Sequence, residues 1–235
     1  MTFTITAWDR ETRSYGICIA TNSPSVGSRC VFGKSRVGAV SFQSTAEPRL
    51  GALGVELLKF GYSASKTLAE LLTSDPFPEK RQIAIVDRDG ATAAHTGDKN
   101  RAYAGHIIGD SYIAMGNYIV SEAVNQGIAK NYENARKQGA SFVQSLMHAI
   151  EGGRDAGGQE VGHNSAAIMI YGQEEFADLD LRVDLHDEPV GELRRLVDWY
   201  EPLIPYYNER SHNPYMPRAD EWLKERGIER RFNHG

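Results

Sequence analysis

Residues 1–23, MTFTITAWDRETRSYGICIATNS, decide how the rest of the chain is read. From Thr2 to Trp8 polar and apolar side chains alternate. Phe3, Ile5 and Ala7 fall on one face and Thr2, Thr4 and Thr6 on the other, the two-residue period of a half-buried strand. DRETRS supplies turn residues, and YGICIAT (15–21) runs back as a second strand, so the stretch predicts an N-terminal hairpin. The first strand begins one residue behind Met1, where a chain end ordinarily frays.

Moving outward, RVGAVSFQ (36–43) reads as a third strand. The period then changes: Leu50, Leu53, Leu57 and Leu58 recur at helical spacing behind Pro48, which suits a first helical turn. Ser63 caps a second helix striped by Leu68, Leu71 and Leu72, and TSDPFP (73–78) ends it. RQIAIVDRDGATAAHTG (81–97) predicts a hairpin turning at Asp89-Gly90, and DSYIAMGN (110–117) another strand. Helical stretches follow over roughly 118–136 and 141–153, the second with Phe142, Leu146 and Ile150 on one face. NSAAIMIYG (164–172) and LDLRVDL (179–185) read as strands, and PVGELRRLVDWY (189–200) as a helix opened by Pro189. Strand runs alternating with helix pairs predict sheets packed on one another and covered outside by helices. The expected organisation is one domain over 1–200. The remainder, 201–235, is an extension rich in Pro, Tyr and charge, with a short helix near 218–227, that docks on the domain or on a neighbouring subunit of a homo-oligomer.

A chain of 235 residues is long enough to bury a core without disulfides or structural metal. The net charge of −5 argues against a nucleic-acid or anionic-membrane partner, since both select basic surfaces. Cys18 and Cys30 form no CxxC pair and fit a reducing cytoplasm. The first residues are not a basic stretch followed by an apolar run, and no apolar stretch nears the ~20 residues of a membrane span. The seven histidines make no HxH or HExxH, so no metal is expected. No GxSxG, GxGxxG or GxxxxGK[ST] is present, so no nucleotide cofactor and no serine elbow is expected either. A small molecule is the expected partner.

Chemistry enters at Thr2. Its side chain is small enough to let an initiator methionine be removed, which leaves an α-amine of reference pKa ~7.7–8 beside its own hydroxyl. Nucleophile and base then share one residue. The alternative is a second residue with no role beyond starting a strand.

Several blocks, taken in order, resemble one bacterial family. They are TFTITAWDRETRSYGICIAT, RVGAVSFQSTAEPRLGALGVELLKFGYSA, RQIAIVDRDGATAAHTG, AGHIIGDSYIAMGN and DAGGQEVGHNSAAIMIY. That family is catalogued as a domain of unknown function within the N-terminal nucleophile hydrolase superfamily, and the resemblance runs from residue 2 to about 200. It implies an α+β four-layer αββα sandwich of two antiparallel sheets, with Thr2 at the mouth of a cleft between them. It also implies hydrolysis of a small linear or cyclic amide. Asn22, at the end of the second strand, is then a candidate to hold the Thr2 amine or a substrate, unless it is simply a turn residue, and Lys34 is the nearest candidate cation. Amides around Gln43 and Ser44 are candidates for an oxyanion hole, unless Ser44 and Thr45 merely cap the following helix. Arg49 is a candidate for a substrate carboxylate. Asn117 either caps a helix or reaches into the cleft. In the late loop, Asp155, His163 and Asn164 are candidate substrate contacts. The alternative function is a non-catalytic binding or assembly protein on the same fold.

Overall fold

A computed structural model describes residues 1–228. In chain order the elements are β1 (Thr2–Asp9), β2 (Ser14–Thr21), a single turn α1 (Gly27–Cys30), β3 (Val31–Lys34) and β4 (Gly38–Ser44). Next come α2 (Pro48–Lys59), α3 (Ala64–Ser74), β5 (Arg81–Asp87), β6 (Thr92–Thr96), β7 (Ala104–Gly109) and β8 (Tyr112–Asn117). The chain continues with α4 (Ala123–Lys137), α5 (Phe142–Asp155), β9 (Ser165–Tyr171), β10 (Leu179–Val183), α6 (Pro189–Tyr200), α7 (Ile204–His212) and α8 (Ala219–Glu225).

The strands make two antiparallel sheets. One has six strands in the order β10-β9-β2-β1-β8-β7, the other four in the order β3-β4-β5-β6. Side-chain parity stacks them. Phe3, Ile5, Ala7, Cys18 and Ala20 project from β1 and β2 into a core shared with α4, α5 and α6. The opposite face sends Ile17, Ile19, Ile113 and Met115 against Ala39, Ala84 and Val86 of the smaller sheet. That sheet turns Val40, Phe42, Ile83 and Ile85 outward under α2 and α3. The architecture is therefore a four-layer αββα sandwich of the α+β class.

The hairpin forms as the alternation predicts, pairing Thr2 with Thr21 through to Asp9 with Ser14. One expectation fails in an informative way. β1 is not half-buried: Thr4 and Thr6 are as inaccessible as Phe3 and Ile5, because the threonine face meets the second sheet rather than water. Alternation cannot separate a solvated polar face from one buried against another polar face. Two strands escape the pattern, β3 (VFGK) and β7 (AGHIIG), both short and glycine-bearing at sheet edges. The helix expected from residue 118 starts at Ala123. Beyond α6, the chain builds a small core of its own from Leu203, Tyr206, Trp222 and Leu223 against Trp199. Pro205 sits in the first turn of α7, where a proline needs no helical partner for its nitrogen. Among the described residues no helix is long and apolar enough to cross a membrane.

Candidate active site

The inner faces of the sheets change character along their length. Toward the start of β1 they carry Thr2, Thr4, Thr21, Gln43, Gln82, Asn117 and Ser165, every one buried. Burying this many hydroxyl and amide groups is costly unless they satisfy one another. Gln82 is the hub. Its Oε1 accepts from Gln43 Nε2 at 2.7 Å and from Asn117 Nδ2 at 2.9 Å. Its Nε2 donates to Thr96 Oγ1 and to the carbonyls of Gly105 and Gly116 at 2.9–3.0 Å. Gln43 in turn accepts from Thr4 Oγ1 and lies 3.5 Å from the carbonyl of Thr2.

Thr2 sits at the open end of this seam. It is 5% exposed and flanked in register by Thr21 on one side and Asn117 on the other. Thr21 Oγ1 donates to the carbonyl of Met1, and Thr2 Oγ1 lies 3.1 Å from Thr21 Oγ1. With the Thr21 proton engaged on Met1, the Thr2 hydroxyl is the donor between the two. Met1 and Thr2 line a cleft of about 230 Å³ with Thr21, Arg29, Cys30 and Ser44. Burial holds the amino terminus here below its ordinary pKa, and the positive charge of Arg101 adds to that shift. Burial also pushes the Cys30 thiol up to about 11, although Arg29 pulls the other way, so the thiol stands neutral beside Thr2.

Two walls of the cleft are fixed from behind. On one, Ser44 adopts φ +75°, a left-handed backbone that costs a non-glycine residue free energy and is common at functional sites. Its neighbour Thr45 offers its carbonyl to Arg81, whose guanidinium is locked to the buried Asp75 carboxylate at 2.6 Å. The other wall, residues 23–26, is clamped by Ser165. That hydroxyl donates to the carbonyl of Ser23 at 2.6 Å and accepts from Val26 N–H at 3.2 Å.

The expected site residues divide into two groups. Thr2, Gln43, Ser44 and Asn117 come together. Ser44 and Thr45 do not cap the following helix, because the Glu47 side chain takes that place by accepting from Arg49 N–H. Asn117 does not cap one either, since α4 starts six residues later. Asn22 points away from Thr2 and donates to the carbonyls of Val161 and Gly162, tying the late loop to the end of β2. Asn164 reinforces the same seam through Asn22 O at 2.6 Å and Thr21 O at 2.8 Å. His163 packs edge-on against Phe3 at 5.0 Å and accepts from the Gln159 N–H. Both residues therefore shape the loop from behind. Asp155 is exposed and paired with Arg154.

Two expectations are corrected outright. Lys34 pairs in register with Gly38, whereas the cleft lies at Ser44. Six strand residues, ~20 Å, separate its partner Gly38 from Ser44, and Lys34 does not line the cleft. Arg49 is held by Glu47 at 2.9 Å and belongs to a separate depression beside Asp75 and Phe77.

Sequence reasoning missed Thr21, Arg29, Cys30 and Gln82. Thr21 was within reach, because a hairpin centred on DRETRS places it opposite Thr2. Gln82 also left a trace, a lone amide in the apolar run RQIAIVD. Arg29 and Cys30 depend on the short turn α1, which has no periodicity to read. Among the described residues, no group of three or more His, Cys, Asp or Glu comes together as a metal site.

Comparison with known proteins gives a family without an activity. No curated protein matches the chain. A crystal structure of a Silicibacter pomeroyi protein, described as belonging to DUF1028, superposes with a TM-score of 0.77 at 25% identity. That match covers 94% of this chain and 92% of the other. Anbu (ancestral beta-subunit) from Yersinia bercovieri matches with a TM-score of 0.38 at 14% identity, covering 88% and 97%. A sequence profile described as a family of unknown function, DUF1028, matches residues 2–193, and the chain belongs to that family.

Proposed function

We propose that this chain is an amidohydrolase of the N-terminal nucleophile kind, in which removal of Met1 leaves Thr2 as both nucleophile and base. The observation that carries the reading is the placement of Thr2. It is a buried, β-branched hydroxyl at the first position of a central strand, hydrogen-bonded to Thr21 and opening on a cleft. A strand between two hydrogen-bonded neighbours holds such a residue rigidly, and β-branching restricts χ1 further.

In the proposed reaction Thr2 Oγ1 attacks the amide carbonyl and gives its proton to the Thr2 α-amine. The oxyanion is met at the left-handed Ser44 turn, where the Thr45 N–H makes only a long 3.4 Å bond to the Lys80 carbonyl. Collapse breaks the C–N bond, and the ammonium passes its proton to the leaving amine. Water then attacks the acyl ester, the amine takes a proton from it, and Thr2 leaves with that proton. The products are an amine and a carboxylic acid. Asn117 supports the amine: its Nδ2 is committed to Gln82, which frees Oδ1 to accept from an N–H. Burial lowers the pKa of the amino terminus in this cleft, the sense that favours a neutral, proton-accepting amine. Activity accordingly rises with pH as that amine loses its proton.

The test is turnover of an amide panel by the wild-type chain, Thr2→Ala and Thr2→Ser, each with its N-terminus verified by mass. Thr2→Ser retains partial activity and Thr2→Ala none. Equal turnover by all three overturns the reading. A non-catalytic binding protein on the same fold is the second reading, favoured by the hydrogen bond from Thr21 to the Met1 carbonyl. Under it Met1 stays attached, and Thr2→Ala changes ligand affinity only.

A further inference from the structure

The Thr2 cleft is unusual in its charge. The whole chain carries 31 acidic against 26 basic side chains, yet no Asp or Glu lines this cleft. One arginine lines it instead, and a second acts on the amino terminus from farther away. Arg29, in the last turn of α1, lines the cleft and is exposed. Arg101 is not part of the lining; its carbonyl accepts from the Tyr118 N–H, next to Asn117, at 3.0 Å. Its guanidinium lies 5.6 Å from the centre of the Tyr118 ring. Among the described residues neither arginine has a carboxylate within ion-pair distance. Half of the described arginines have such a partner, as Arg49 has Glu47, Arg182 has Asp180 and Arg195 has Glu192, so it is the place of Arg29 in the cleft that sets it apart.

An uncompensated guanidinium at the mouth of a small cleft that carries no carboxylate makes a receptor for an anion. The planar fork of arginine matches a carboxylate through two parallel hydrogen bonds. The size of the cleft narrows the class. At about 230 Å³ it falls below the roughly 300–1,000 Å³ of sites that hold drug-sized ligands. That volume is bounded by Met1 itself, and with Met1 removed the cleft takes an amide the size of an acylated amino acid.

We propose that the substrate is a small amide bearing a free carboxylate, which Arg29 grips while the scissile carbonyl meets Thr2. The proposal rests on the reading of Thr2 as nucleophile and adds the substrate class to it. Arg101, on the Asn117 side, contributes long-range attraction for the same anion. The role expected of Arg49 from the sequence thus passes to Arg29.

The test is a matched panel: N-acetyl and N-carbamoyl derivatives of α-, β- and γ-amino acids, each as free acid and as carboxamide. Wild-type chain hydrolyses an acid with kcat/KM on the order of tenfold or more above its carboxamide, the usual worth of a charge-assisted hydrogen bond. Arg29→Gln raises KM for the acid by a similar factor with kcat little changed, and it leaves the carboxamide within twofold. Arg29→Lys falls between, and Arg49→Gln behaves as wild type. Acids and carboxamides hydrolysed equally well, or Arg29→Gln without effect on KM, overturn the carboxylate site while Thr2 stands as nucleophile. Where nothing is hydrolysed, calorimetric titration of Thr2→Ala with the same acids separates the two claims. Binding that is lost in the Thr2→Ala, Arg29→Gln double variant upholds the carboxylate site and removes the nucleophile. Absence of both binding and turnover removes the carboxylate site.

Discussion

The two ends of the layer between the sheets are built on opposite terms. At the Thr2 end the sheets meet through hydroxyl and amide groups joined around Gln82. At the other they meet through Tyr15, Ile17, Ala39 and Val86, with Trp8 and Tyr171 packed alongside. Apolar contact between sheets is non-directional and tolerates small shifts, whereas an amide network holds only one arrangement of donors and acceptors. The apolar end therefore supplies adhesion, and the polar end fixes geometry where geometry matters. Both belong to the same strands, since β1 runs from Thr2 through Thr4 and Thr6 to Trp8 on a single face.

Substitutions at the two ends should separate these roles. The largest effect belongs to Thr2→Ala, which should lower kcat on the order of 10³-fold or more, as loss of a nucleophile does. Its urea midpoint should stay close to wild type, because the change removes one hydroxyl at a strand end. Next comes Gln82→Leu, which strands the Gly116 carbonyl and the Asn117 amide in a dry interior. It should cost about 3 kcal/mol by urea unfolding and lower turnover as well. A loss of stability with unaltered kcat would break the link between the seam and the site. Ile17→Val, on the apolar stretch of the same layer, should cost about 1 kcal/mol and leave kcat and KM unchanged. If it disturbed catalysis as much as Gln82→Leu, the two ends would not be distinct.

The smallest effect is a pH dependence confined to the Thr2 end. Burial holds the His163 imidazole below its ordinary value of about 6.5; Glu188 opposes the shift and Arg154 adds to it. The folded ring is thus harder to protonate than the unfolded one. The stability it contributes is complete above pH about 6.5 and is lost as the pH falls below that value. Hydrogen exchange at pH 7.5 and 5.5 should show the 156–164 loop opening in acid while β5 and β9 stay protected, and His163→Gln should remove the difference. A uniform loss of protection across both ends would contradict this.

Most of the fold is legible in the sequence because most of it rests on periodicity. The β1–β2 hairpin, α2 behind Pro48 and α3 behind Ser63 follow from alternation, helical spacing and caps, all local signals. β3 and β7 are not legible, since edge strands of four to six residues with glycines owe their form to a partner strand. The site divides on the same line. Thr2 can be read because its chemistry is intrinsic to its position, and Asn117 because it ends a clear strand. Gln82 reaches the seam only through register between strands distant in sequence, and Arg29 reaches the cleft only on the short turn α1. Lys34 and Arg49 mislead for the complementary reason. Each lies near a site residue in sequence, but a strand carries one to the far end of its sheet and a neighbouring glutamate occupies the other.

The central claim is that Thr2 acts through a free amine, and the state of the N-terminus tests it most directly. Intact mass and N-terminal sequencing of the full chain, purified without an N-terminal tag, should show Thr2 as the first residue. Quantitative retention of Met1 would leave the Thr2 hydroxyl without its base and would contradict the account.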